Sequence, residues 1–70
     1  MQQEYLAVVK QSGERWIGWI EEVQGVNCQE RTREELIETL RATLKEAIEL
    51  NRQDALASAG SEFHEEKIAV

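Results

Sequence analysis

Two early runs of the chain alternate every second residue. In EYLAVVK, residues 4–10, Tyr5, Ala7 and Val9 fall on one side of an extended chain and Leu6 and Val8 on the other. In RWIGWIEEV, residues 15–23, Trp16, Gly18 and Ile20 share one side, and Ile17 and Trp19 the other. QSGE at 11–14 places Ser12 and Gly13, both favoured in turns, between the two runs. Two apolar extended runs joined by a short Gly-bearing loop predict an antiparallel hairpin. Gly25 closes the second strand, and VNCQER, residues 26–31, supplies a short third one.

The period then changes. Leu36, Ile37, Leu40, Leu44, Ala47 and Ile48 recur at spacings of three and four, which puts one apolar stripe on a helix. Glu34, Glu38, Arg41, Lys45, Glu46 and Glu49 fall largely on the other side. Thr32 is a suitable N-cap with Glu35 three residues on, the pattern of a capping box. Glu34 and Glu35 also suit the positive end of the helix dipole. The chain has no proline, and the stripe predicts a helix running to about Asn51 or Gln53. From Asp54 the pattern dissolves into small residues, with Gly60 as a break. EEKIAV, residues 65–70, predicts an edge strand through Ile68 and Val70.

The predicted fold is α+β. A small antiparallel sheet of three to four strands carries one long helix on one face, in the order β-β-β-α-β, as a single domain over residues 1–70. Both predicted strands of the hairpin are apolar on both sides, yet only one helix is available to cover them. The second face would be an unusually apolar patch for a monomer, so another protein chain is expected to bury it. Trp16 and Trp19 stand three apart on opposite faces, so one belongs under the helix and the other is free to anchor an interface.

Size and charge sharpen that expectation. A chain of 70 residues buries only about 60% of the surface its unfolded form exposes, and such domains usually need a further aid to stability. The single cysteine, Cys28, excludes an intramolecular disulfide and fits a reducing compartment. His64 and Cys28 are far apart in sequence, so no metal or cofactor is expected. Self-association or a partner is what remains. The formal net charge of −6 gains nothing from phosphate neutralisation, so it argues against nucleic-acid binding and for a basic protein partner. No segment approaches the roughly 20 apolar residues that span a bilayer, and MQQEYLAVVK lacks the basic start and apolar run of a signal peptide. A cytoplasmic location follows as the expectation, with no membrane contact.

Catalytic chemistry is not expected. The chain has no Gly-rich phosphate loop and no His-x-x-x-His pair, and Cys28 has no histidine near it in sequence. Glu21 and Glu22 are adjacent on an extended run and point to opposite faces, so they do not converge on one substrate. Asp54, the only aspartate, has no acidic partner. His64 reads as a solvated residue near the chain end, and Cys28 as a small apolar one. The acidic outer side of the helix is a solvated face or, functionally, a docking surface for a basic protein.

The ordered set of hairpin, Gly25-Val26-Asn27-Cys28 turn, short strand, Thr32-x-Glu34-Glu35-Leu36, then Leu40, Leu44 and Ala47 resembles the HicB-like antitoxin family over residues 4 to 50. Gln24 and Arg31 stand where that family commonly has proline and glycine, and Leu36 replaces its usual alanine. The resemblance implies a partial ribonuclease-H-like sheet without catalytic carboxylates. It implies a homo-oligomer, a dimer or larger, that neutralises a HicA-like toxin, a small basic protein that cleaves messenger RNA. Longer members add a DNA-binding domain; no separate one is expected here, and so no direct DNA binding. The residues expected to face the partner are Trp19, Glu21, Glu22 and Glu30. The alternative is a stand-alone oligomeric scaffold module of the same fold with no toxin partner.

Overall fold

Each alternating run forms a strand. In a computed structural model, which describes residues 4–69, β1 (Ala7–Ser12), β2 (Arg15–Ile20) and β3 (Asn27–Glu30) precede one helix, α1 (Arg33–Ala59). The strands lie in the order β1-β2-β3 and every pairing is antiparallel, so the fold is α+β. Ser12 pairs with Arg15, which leaves a two-residue hairpin loop. Its first residue, Gly13, has φ 63° and Glu14 does not have a positive φ, the pattern of a type II′ turn that matches the twist of the strands.

Register fixes the two faces of the sheet. Val9 faces Gly18, which faces Cys28, and Gln11 faces Trp16, which faces Glu30. These rows lie under the helix. The alternate rows, Val8–Trp19–Asn27 and Lys10–Ile17–Gln29, lie on the opposite face.

The helix packs on β2 and β3. Ile20, Val26, Leu36 and Leu40 are buried, and Tyr5, Val9, Trp16, Val23, Cys28, Leu44 and Ala47 pack against them. The approach is close because Gly18 has no side chain. A Cβ there would lie 2.8 Å from the Val8 carbonyl oxygen, 3.0 Å from Leu40 Cδ1 and 3.1 Å from Leu36 Cδ2. Thr32 caps the helix as expected, its Oγ1 accepting from the Glu35 backbone N–H at 3.1 Å. The same hydroxyl donates to the Glu35 carboxylate at 3.0 Å, so cap and first turn hold each other.

Two expectations are corrected. The helix does not stop near Asn51 or Gln53 but continues to Ala59, where the Gly60 N–H bonds the Ala57 carbonyl. Residues 50–59 hold no glycine or proline and are rich in alanine and other good helix formers, so nothing stops propagation before Gly60. The predicted edge strand through Ile68 is absent: residues 63–69 form no strand, and Ile68 is 86% exposed. Val70 lies outside the described residues. The two corrections share a cause. The additional helical turns carry the tail away from the sheet with which it was expected to pair.

Candidate protein interface

The face of the sheet away from the helix is covered by none of the described elements. Trp19 is 37% exposed there, between half-buried Val8 and exposed Asn27. In the next row half-buried Ile17 lies between Lys10 and Gln29. A shallow depression runs along β2 and β3 beside Ile17, Trp19, Asn27 and Gln29. Leu6, 61% exposed, continues the same alternation one step beyond β1. A Trp, an Ile and a Leu on one uncovered face form the kind of patch that interfaces use.

The charge on that face is unlike the charge of the chain as a whole. Lys10 and Arg15 lie on it by register, and Arg31 continues the register opposite Arg15 just past β3. All three are exposed, and none forms an ion pair; among the described residues the one ion pair is Arg41–Glu38 on the helix, at 2.9 Å. An acidic protein therefore presents an apolar face with a basic corner at its hairpin end. Sequence reading expected an acidic patch beside Trp19. Only Arg15 shares a strand and a parity with Trp19; the pairing register is what brings Lys10 and Arg31, from separate segments, onto the same face.

Apart from Glu21, which continues the register opposite Leu6 at the other end of this face, the acidic groups singled out sit elsewhere. Glu35, Glu38, Glu46 and Glu49, with Ala42 between them, follow one another at helical spacing along the exposed side of α1. Beyond Ala47 the helix leaves the core altogether. Ile48 and Leu56 are half-buried, and Leu50 is 60% exposed. At 1.5 Å per residue the 27-residue helix is about 40 Å long, roughly twice the span of a six-residue strand.

The four residues expected to face a partner do not form one surface. Trp19 is on the open face. Glu21 follows β2 and is exposed, its backbone N–H bonded to the Leu6 carbonyl at 2.9 Å. The Glu22 carboxylate accepts from the Leu6 N–H at 3.0 and 3.2 Å, holding the start of the chain to the end of β2. Glu30 is on the helix side at the other end of the sheet, half-buried, and accepts from the Thr39 hydroxyl at 2.6 Å. Glu22 and Glu30 thus fasten elements of the fold to one another.

The groups weighed for chemistry lie apart. The Cys28 thiol is half-buried and donates to Thr43 Oγ1 at 3.6 Å, which ties β3 to α1. His64 is exposed on the tail, and Asp54 is exposed on the last turns of the helix. No group of three or more His, Cys, Asp or Glu side chains among the described residues is placed to hold a metal ion. None of the described helices is long and apolar enough to cross a membrane. Compared with protein-family models, with curated proteins and with solved structures, the chain matches none.

Proposed function

We propose that this chain is a stoichiometric inhibitor of a small basic protein, an antitoxin that neutralises a HicA-like messenger-RNA-cleaving toxin in the cytoplasm. The observation that carries the reading is the acidic stripe Glu35, Glu38, Glu46 and Glu49 on a helix that runs past its own core. A projecting acidic helix complements a basic RNA-binding surface. It speeds the encounter and competes with the phosphates that the same surface would otherwise bind. The sequence resemblance to HicB-like antitoxins supports the same class, and a partial ribonuclease-H-like sheet is its structural counterpart. Of the residues singled out from sequence, Trp19 and Glu21 keep side chains available to a partner, whereas Glu22 and Glu30 act through the fold.

Co-expression with the product of a small basic neighbouring gene tests this. Co-purification and restored growth are expected. Reversing the stripe by Glu46→Lys and Glu49→Lys should weaken the complex about tenfold or more and flatten its salt dependence. Absence of both complex and growth rescue would sink the proposal. The uncovered apolar sheet face favours one other reading, a stand-alone scaffold that only self-associates. A gene neighbourhood without a short basic reading frame would favour it.

A further inference from the structure

The open sheet face and the tail are complementary, and neither has a partner among the described residues. The face offers Trp19 and Ile17 beside Lys10, Arg15 and Arg31. The tail after Gly60 is exposed throughout residues 61–69 and carries Glu62, Glu65 and Glu66 against the single Lys67. Its two large apolar side chains, Phe63 and Ile68, are 45% and 86% exposed. We infer that residues 62–69 of a second copy of this chain lie across the open face, with Glu65 and Glu66 against the basic corner and Phe63 and Ile68 over the apolar surface.

Geometry separates a second copy from the chain's own tail. The helix starts at the hairpin end of the sheet, next to the row of Trp16 and Glu30. It runs toward the opposite end, where Leu40 and Leu44 meet Tyr5 and Ile20. From Ala47, the last helical residue packed on the core, to Ala59 the helix climbs about 18 Å further away. The basic corner lies at the end that the helix has left, about 17 Å back along β2 from Ile20 to Arg15. Nine extended residues reach about 30 Å, less than these two lengths together, and the helix and sheet also stand between. In a two-fold dimer each tail meets the partner's face, so one contact forms twice and both apolar faces close. Opposite charge then places the middle of the tail at the basic corner.

The test uses the full chain alone, without any toxin, so it stands or falls independently of the antitoxin reading. Light scattering at about 100 µM is expected to give twice the 8.1 kDa chain mass. Lys10→Glu with Arg15→Glu should raise the dimer dissociation constant about tenfold or more, as should Glu65→Lys with Glu66→Lys. All four positions are exposed, and circular dichroism confirms that each variant keeps its fold. Combining the four substitutions in one chain should restore the dimer, because reversed tail then meets reversed face. A monomeric wild type, a dimer indifferent to either reversal, or no recovery in the combined variant would overturn the inference. So would a wild-type monomer that binds a labelled single-stranded RNA and loses it on reversal of Lys10 and Arg15, which would make the face a nucleic-acid surface.

Discussion

Trp16 and Trp19 are neighbours on one strand and live in different environments. Trp16 packs against the core under the helix, while Trp19 stands on a face that no described element covers. The two faces of β2 differ in more than exposure. Under the helix the strand contributes Gly18 and Ile20, which let Leu36 and Leu40 settle against the backbone. On the open side it contributes Arg15, Ile17 and Trp19, flanked by Lys10 and Gln29. The same two-residue period built both sides. What separates them is the supply of covering elements: one helix closes one face, and no other described element closes the second.

The comparison breaks first if the helix side is not where stability resides. Leu36 has no exposed surface and sits at the centre of the buried cluster. Leu36→Ala should cost about 2–5 kcal/mol, a large share of the total for so small a domain. Urea denaturation followed by circular dichroism reads this directly, and a loss below about 1 kcal/mol would place the core elsewhere. Gly18→Ala comes next. Its new methyl would meet the Val8 backbone and the tips of both leucines, so a cost of about 1–3 kcal/mol is expected although the change adds only one carbon. The same denaturation assay checks it, with Asn27→Ala on the open face as the control, expected within about 0.5 kcal/mol of wild type.

Much of this architecture was legible before any coordinates. Alternation gave the hairpin and the separation of the tryptophans, and Thr32 with Glu35 gave the helix start. The helix end was missed because hydrophobic periodicity stops being visible once a helix no longer packs on anything. Residues 54–59 are held by backbone propensity and the lack of a breaker, which leave no periodic trace. The edge strand failed for a related reason. EEKIAV has strand-forming residues, but pairing depends on where the preceding helix delivers it, and that length was underestimated. Of the candidate site, Trp19 was legible and its charge environment was not. Lys10, Arg15 and Arg31 lie in separate segments, and only cross-strand register shows that they share a face. Glu22 and Glu30 carried the right charge for a basic partner, but hydrogen bonds to the Leu6 N–H and the Thr39 hydroxyl give them work inside the fold.

A small stability effect is expected where the largest binding effect should be. Trp19→Ser removes an indole that the chain itself covers only in part, at 37% exposure, so unfolding at a dilution where the chain is monomeric should shift by about 1 kcal/mol or less. An aromatic anchor at the middle of an interface typically contributes more than that to association, about 2 kcal/mol or above when truncated. The same substitution should therefore weaken self-association about thirtyfold while leaving the monomer nearly intact. Trp16→Ser should reverse the order, costing stability first because Trp16 is packed on the core. Measuring both variants by denaturation at low concentration and by light scattering at high concentration gives four numbers. Should Trp19→Ser destabilise the dilute chain as much as Trp16→Ser does, the two sides of β2 would be energetically alike. The uncovered face would then be an ordinary part of the fold and not a surface kept for a second molecule.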